Sequence, residues 1–141
     1  MNMVKSNYLN QGERQDIIEK ITSIIRTKQE IAFAFLYGSF LEEPFFRDID
    51  LGIFVKGVEK SGYWDYECMI SQQIEDTLNQ SIAVEVKVIN SAPVSFCFQV
   101  VKGETIFVRD EDFLSNFMVS IARLYLDMFV VRHTYLMEAM T

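Results

Sequence analysis

Histidine is almost absent from this 141-residue sequence, and cysteine is scarce. The chain has one histidine, His133, and two isolated cysteines, Cys68 and Cys97. A Ser-His-Asp or Cys-His mechanism would need its base at His133, in a C-terminal helical stretch far from any nucleophile. Cysteines without a Cys-x-x-Cys pattern or a nearby histidine are typical of core thiols. These shortages argue against hydrolase chemistry and against thiol-based metal or redox sites.

Clusters of lysine and arginine are also missing. The 13 basic residues are outnumbered by 20 acidic ones, which gives a formal net charge of −7. Because binding to a nucleic-acid backbone needs side chains that neutralise phosphates, this balance argues against a nucleic-acid substrate. A metal-bound nucleotide responds to local charge and is not excluded, and an acidic chain suits a basic protein partner.

Long apolar runs and a basic-then-apolar leader pattern are the remaining absences. No uninterrupted run approaches the roughly 18 residues that a membrane helix needs. Hydrophobic residues make up 50% of the chain, which is enough for a core, and no repeat divides it. We expect a single cytoplasmic domain over residues 1–141, not bound to a membrane, with residues 1–10 loosely attached or disordered.

The hydrophobic periodicity predicts an α/β fold, a mixed β-sheet flanked by helices. Apolar residues recur by threes and fours where helices are expected, and form continuous or alternating runs where strands are expected. Pro93 favours the start of a helix after Ser91. The predicted helices cover residues 13–27, 64–78 and 111–138, and the predicted strands cover residues 31–37, 48–55, 82–89 and 105–108.

Two short motifs carry the chemistry. Gly38-Ser39 ends an apolar run, and Asp48 and Asp50 open the next strand. Glycine permits close approach of a ligand, and serine offers a hydroxyl and an N–H group to a phosphate. Acids spaced by two on a strand point to one face, and Mg²⁺ favours one or two carboxylates together with phosphate oxygens. The layout indicates metal-assisted phosphoryl or nucleotidyl transfer.

Each motif has an ordinary explanation when taken alone. Asp-x-Asp occurs at turns and exposed strand starts, and Gly-Ser is a common turn. Together, an acid pair that opens an apolar strand just after a strand ending in Gly-Ser is a more specific signal. We therefore interpret both motifs as parts of one phosphate and metal site.

Gly38-Ser39 followed by Asp48-Ile49-Asp50 resembles the signature of the DNA polymerase β-like nucleotidyltransferase superfamily, and the small chain resembles its minimal nucleotidyltransferase (MNT) branch. The similarity extends to about residue 130. Residues 84–90 lie where that branch has its third acid strand, and residues 103–110 resemble its closing strand. The resemblance implies a nucleotidyltransferase fold with a long C-terminal helix.

The resemblance also implies a set of functional residues. In the family, three acids bind two Mg²⁺ ions that carry a nucleoside triphosphate, and the Gly-Ser backbone holds its phosphates. The catalytic and metal-binding residues would then be Asp48, Asp50 and Glu85, and the nucleotide-binding residues Gly38 and Ser39. The cofactors would be Mg²⁺, with Mn²⁺ as a substitute, and ATP as the nucleotide donor.

Three departures from the family pattern predict reduced or lost activity. The eight residues between Ser39 and Asp48 form a shorter loop than is common in the MNT branch. Leu41-Glu42-Glu43 replaces the usual basic residue after Gly-Ser-Phe, and Arg47 is the candidate substitute from the other end of the loop. The third acid is Glu85 rather than aspartate, and a carboxylate misplaced by about an ångström can cost about 10²-fold in rate.

MNT proteins are commonly paired with HEPN-domain toxins, and in that setting they transfer AMP from ATP to a tyrosine of the toxin. The resemblance therefore predicts a metal-dependent nucleotidyltransferase of the antitoxin type with a HEPN-domain partner. Two alternatives stay open at this point. One is a vestigial MNT-fold module that neutralises its partner by contact, and the other is a small-molecule nucleotidyltransferase that modifies an acceptor such as an aminoglycoside.

The C-terminal segment is the second informative feature. Apolar residues recur by threes and fours over residues 111–139, which predicts a helix of about 40 Å, long for a domain of this size. Such a face is more often core than interface, but a small domain covers only part of so long a helix. Val130, Tyr135, Leu136 and Met140 are therefore expected to be partly exposed unless a HEPN partner or a second copy in a homodimer covers them.

Overall fold

A computed structural model describes residues 7–140, and its main helices and strands follow the sequence pattern to within two residues. In chain order the elements are β1 (Asn7–Tyr8), α1 (Gln11–Arg26), β2 (Ile31–Tyr37), α2 (Ser39–Glu42), β3 (Phe45–Phe46), β4 (Asp48–Val55), α3 (Tyr63–Thr77), β5 (Ala83–Val88), α4 (Val94–Val101), β6 (Glu104–Val108) and α5 (Glu111–Ala139). The sequence did not predict β1, α2 or β3. Of the N-terminal segment expected to be loosely attached, residues 1–6 lie outside the described residues, while Asn7–Tyr8 forms β1.

The main sheet is mixed, as predicted, with strand order β5-β4-β2-β6. Neighbouring strands are antiparallel except for β4 and β5, which are parallel. The short strands β1 and β3 pair separately. Since β4 and β2 occupy the centre, the residues that close β2 and open β4 lie side by side in the middle of the sheet.

Each face of the sheet supports its own hydrophobic core. On one face α1 and α3 pack through isoleucines such as Ile21 and Ile74. On the other face Phe33 and Phe35 pack with residues of α4 and α5. Two covered faces explain why β2 is apolar at nearly every position.

The starts of α1 and α5 are fixed by local side chains. At α1, Asn10 Oδ1 accepts from the Glu13 N–H at 2.8 Å, and Glu13 Oε1 accepts from the Asn10 N–H at 3.1 Å. This reciprocal pair satisfies two N–H groups that the helix leaves unpaired. Asp110 caps α5 by accepting from the Phe113 N–H at 3.0 Å.

The two cysteines differ from each other. Cys97 is buried, as expected for a core thiol, and burial raises its pKa. Cys68 is exposed, so the expectation of a core thiol is wrong there. The physical reason is that α3 turns the face with Ile70 and Ile74 toward the sheet and leaves Cys68 outside it.

Helix α5 extends beyond the domain. It has 29 residues, of which Leu114 and Ile121 are buried. From residue 126 onward every described side chain is exposed, including the predicted Val130, Tyr135, Leu136 and Met140. The expected exposure is confirmed, and the core role is limited to the first half of the helix. We call residues 126–140 the overhang.

By length and composition, α5 is also the one helix within residues 7–140 that is long and apolar enough to cross a membrane. Its most apolar 18-residue window has a mean hydropathy of 1.4 and is 11% buried. The absence of long uninterrupted apolar runs in the sequence therefore did not exclude a helix of this kind. Scattered charged residues interrupt the apolar run but lower the mean hydropathy of the window only slightly. One helix of this kind is weak evidence for a membrane span.

Candidate active site

The predicted site residues come together where β2 ends and β4 begins. Tyr37 of β2 is in register with Asp50 of β4, and Asp50 is in register with Glu85 of β5. Residues in register on neighbouring strands project to the same face, so these three side chains form a row across three strands. Asp48 lies two residues before Asp50 and faces the same way. Asp48, Asp50 and Glu85 thus share one face of the sheet, and their role as metal ligands stays a prediction.

Gly38 brings the backbone against this row. Its φ of 83° and ψ of −158° belong to a region that only glycine adopts readily. A Cβ atom at this position would stand 2.5 Å from Asp50 Oδ2. Both conformation and space therefore require glycine, and the backbone of the Gly-Ser turn lies directly beside a carboxylate.

The electrostatics of the site centre on Asp50. Partial burial, followed by the negative charges of Glu85 and Asp48, raises its pKa from an ordinary value of 3.8 to about 6. Like charges at close range disfavour ionisation, and a cation between them would relieve the repulsion. The site is thus built at an electrostatic cost that a divalent ion would offset.

Glu85 is the most exposed of the three acids. Its Oε1 atom is 4.0 Å from Nζ of Lys87 on the same face of β5, which is a weak surface ion pair. Among residues 7–140, no three histidine, cysteine or acidic side chains stand together as a ready-made metal cluster. Glu85 would therefore have to turn from Lys87 toward Asp50 to act as a third ligand.

The donor set nevertheless fits Mg²⁺ carried by a nucleotide. Mg²⁺ is usually held by one or two carboxylates, with waters and substrate phosphates completing the octahedron. Asp48 and Asp50 supply two carboxylates on one face, and the backbone of the Gly38 turn lies directly beside Asp50. The residues present therefore match a metal and triphosphate site better than an all-protein metal cage.

Tyr37 is a site residue that the sequence analysis did not single out. Burial, followed by the charges of Asp50, Glu85 and Glu67, raises the pKa of its hydroxyl, so it remains protonated. Its ring meets Phe96 of α4 edge-on at 5.8 Å between centroids. In the sequence, the only indication of its role is its position directly before Gly38. The register between β2 and β4 was needed to show that Tyr37 lies beside Asp50.

The loop from Ser39 to Arg47 is more ordered than a simple turn. It contains α2 and β3, and it directs Phe40 and Phe46 into the core, where their rings meet edge-on at 4.9 Å. Arg47, the candidate substitute for the missing basic residue, is exposed beside Asp48. The shortened loop is thus a packed element attached at both ends to site residues.

The mixed sheet flanked by helices is the architecture of a nucleotidyltransferase domain. The profile of the family described as "Polymerase beta, Nucleotidyltransferase" matches residues 19–112, which include every residue of the row. The chain therefore belongs to the polymerase β nucleotidyltransferase family. No curated protein sequence matches the chain significantly.

Several solved structures share the fold across nearly the whole chain. One is an MNT antitoxin in complex with a tri-AMPylated HEPN toxin from Shewanella oneidensis, with 19% identity, a TM-score of 0.64, and coverage of 91% of this chain and 99% of that one. A second, the toxin–antitoxin pair MntA-HepT, has 18% identity, a TM-score of 0.63, and coverage of 90% and 99%. A third is a toxin–antitoxin with AMP-PNP, with 19% identity, a TM-score of 0.65, and coverage of 88% and 98%.

Proposed function

We propose that this protein is an MNT-type antitoxin that transfers AMP from ATP to a tyrosine of a HEPN-domain toxin, in the cytoplasm and with Mg²⁺. The observation that carries the proposal is that Asp48, Asp50 and Glu85 share one face of the sheet beside the Gly38 turn. Family membership supports nucleotidyl transfer. The similar structures support the acceptor, since one pairs an MNT antitoxin with a tri-AMPylated HEPN toxin and another contains AMP-PNP.

The residues have separate roles in this proposal. Asp48 and Asp50 would hold the metal, and Glu85 would complete one of two metal sites. When bound, Mg²⁺ neutralises the triphosphate and lowers the pKa of the attacking hydroxyl. Backbone N–H groups of Gly38 and Ser39 would hold the β- and γ-phosphates while the tyrosine oxygen attacks the α-phosphorus in line and pyrophosphate leaves.

Tyr37 has a supporting role rather than a chemical one. A hydroxyl with a raised pKa stays neutral and remains a hydrogen-bond donor beside the carboxylates. It lies in the same row as Asp50, so it would limit how far that carboxylate can turn when the metal binds. Neutral Tyr37 therefore adds no further negative charge to the acidic row.

The partner surface is the overhang of α5. A helix segment that exposes several large apolar side chains, here Phe129, Tyr135 and Leu136, is normally covered in the functional state. A similar structure holds an MNT antitoxin in complex with a HEPN toxin, which supports a HEPN protein as the cover. A homodimer through the same surface is the competing arrangement.

Mass spectrometry of the co-expressed partner tests the proposal. We expect Mg²⁺-dependent and ATP-dependent addition of AMP to a tyrosine of the HEPN protein, lost in Asp48→Asn/Asp50→Asn. A partner that is bound and neutralised without added mass would support the vestigial alternative. Transfer to an aminoglycoside but not to the partner would support the small-molecule alternative.

A further inference from the structure

Arg14 reaches from α1 to the loop that follows Ser39, and binds its main chain. One Nη atom of the guanidinium donates to the Phe40 carbonyl, and the other donates to the carbonyls of Glu43 and Pro44, both at 2.9 Å. Its Nε atom donates to the Leu9 carbonyl at 3.2 Å. A single side chain thus satisfies three carbonyls within five residues of the loop and ties them to the N-terminal helix.

The same guanidinium lies against aromatic rings of the loop. Its Cζ atom is 5.2 Å from the ring centroid of Phe40 and 5.1 Å from that of Phe46, within the range of cation–π contact. Arginine is suited to this double use because its planar fork stacks on rings while its N–H groups point outward to acceptors. Lysine has neither the fork nor the plane.

On its α1 side the loop borders a surface depression, while Phe40 and Phe46 anchor it in the core and β3 pairs with β1. A depression of about 720 Å³ opens between α1 and the loop, and Arg14 forms part of its wall together with residues 40–44. Arg14 therefore joins α1 to the main chain of the loop at the edge of this depression, and adds to the core packing of Phe40 and Phe46. The loop itself is closed by the Leu41 N–H to the Gly38 carbonyl at 3.1 Å and the Glu43 N–H to the Ser39 carbonyl at 3.0 Å.

The ends of the loop are site residues. Gly38 and Ser39 precede it, and Asp48 follows it. A displacement of the loop would move the phosphate-side backbone and the first metal carboxylate in the same step. About an ångström of displacement in such a group is enough to cost about 10²-fold in rate.

We propose that Arg14 is a positioning residue for the nucleoside triphosphate. It fixes the loop that joins Gly38 and Ser39 at one end to Asp48 at the other. This inference rests on the proposed function. The contacts of Arg14 are with main-chain carbonyls and aromatic rings rather than with the acids. It acts through the main chain of residues 40–44.

Arg109 provides a matched control. It also donates to three main-chain carbonyls, those of Ile31, Arg26 and Lys28, at 3.0 to 3.3 Å, and its Cζ atom lies 5.0 Å from the ring centroid of Phe107. These contacts join β6 to the turn after α1, away from the Gly38 loop. Arg109→Lys therefore removes a comparable set of guanidinium contacts and is expected to leave the candidate site unaffected.

The experiment compares Arg14→Lys, Arg14→Gln and Arg109→Lys with the parent at a temperature where circular dichroism shows all four folded. Titration measures the affinity for Mg²⁺·ATP, and steady-state kinetics with the HEPN partner give kcat and KM for ATP. Hydrogen exchange follows the amides of Leu41 and Glu43. We expect both lysine variants to lower the melting temperature. Only the Arg14 variants should speed amide exchange in the loop and lower kcat/KM for ATP by about 10²-fold.

Equal nucleotide affinity and kcat/KM in Arg14→Lys and the parent would overturn the inference, as would an equal loss in Arg109→Lys. Unchanged hydrogen exchange of the Leu41 and Glu43 amides in Arg14→Lys would also overturn the inference, even if the protein shows no catalytic turnover. Failure of the parent to bind Mg²⁺·ATP is a separate outcome. It would reject the proposed function, and the role of Arg14 in nucleotide positioning with it.

Discussion

Asp50 Oδ2 occupies the space into which a side chain at Gly38 would project, 2.5 Å from the place of its Cβ atom. This contact links the two motifs of the sequence into one site, because the backbone of the Gly-Ser turn lies directly against the Asp50 carboxylate. It also explains why a glycine with a φ of 83° stands directly after a buried strand. The turn is shaped around the carboxylate.

Gly38→Ala is therefore expected to damage both the fold and the site. The alanine would be strained at this φ, by about 1–3 kcal/mol, and would push the Asp50 carboxylate from its position. We expect a lower free energy of unfolding in urea and no measurable binding of Mg²⁺·ATP.

Gly57→Ala is the matched control. Gly57 has a φ of 77°, and a Cβ atom there would meet nothing within 4 Å. It should lose stability from the same backbone strain while nucleotide binding stays intact. Normal binding by Gly38→Ala would show that the contact with Asp50 does not shape the site.

The stability of the metal-free protein should depend on pH through Asp50. Its pKa is about 6 in the folded protein against an ordinary 3.8, so between these values the folded state holds a proton that the unfolded state has lost. This contribution to the free energy of unfolding is complete below pH 3.8 and is lost as the pH rises to about 6. Asp50→Asn should accordingly gain stability relative to the parent over that interval.

Denaturant unfolding of both proteins between pH 4 and pH 7.5 in EDTA measures the effect. Saturating Mg²⁺ should narrow the difference at the upper end, because the ion replaces the proton as the partner of the carboxylate. A constant difference across the whole interval would mean that Asp50 does not titrate as the geometry of the row requires.

Mg²⁺ or Mn²⁺ together with ATP should raise the melting temperature. A ligand that binds only the native state stabilises it by about 2.7 kcal/mol at a hundred times its Kd. The shift should disappear in Asp48→Asn/Asp50→Asn. Trp64, the one tryptophan in the sequence, lies in a depression of about 380 Å³ with Glu85 and Lys87, so its fluorescence offers a second readout.

An equal shift in the parent and the double variant would remove the aspartates from the site. Absence of a shift in both would favour the vestigial alternative. ATP with EDTA serves as the control for binding that does not involve the metal.

Glu85 should behave as a metal ligand whose side chain is one methylene longer than that of the aspartate expected at this position. Glu85→Gln keeps its size but removes its charge, and transfer should fall by orders of magnitude, whereas Glu85→Asp should be tolerated or improve activity. Lys87→Met is the control, since it removes only the surface ion pair at 4.0 Å. Single-turnover rates for Glu85→Gln that match the parent would identify Glu85 as a solvated strand residue.

The strands of the site could be predicted from the sequence because their signals are local. The apolar run before Gly38 and the alternation after Asp48 follow directly from two covered sheet faces. Tyr37 and Arg14 could not be found in this way. Tyr37 depends on the register between β2 and β4, and Arg14 contacts a loop 26 to 30 residues away. Neither leaves a periodic trace in the sequence.

The overhang of α5 is expected to be a docking surface. Tyr135 is 71% exposed and Leu136 is 59% exposed in the single chain. If the HEPN partner covers them, replacing Tyr135 by Ser and Leu136 by Lys should weaken association by several kcal/mol, as expected for anchor residues, and leave the fold intact. Size-exclusion chromatography with light scattering, on the chain alone and with its partner, measures the change.

Val119→Ser is the matched control, because Val119 is 54% exposed on the same helix but lies before the overhang. It should leave partner binding unchanged. A parent that dimerises by itself, with dimerisation lost in the double variant, would assign the overhang to a second copy instead. Binding of the parent to lipid vesicles that the double variant abolishes would assign it to a membrane. If the parent is monomeric and the double variant binds the partner as well as the parent does, the overhang is not the contact surface. Removing two such exposed anchor residues from an interface would weaken the free energy of association.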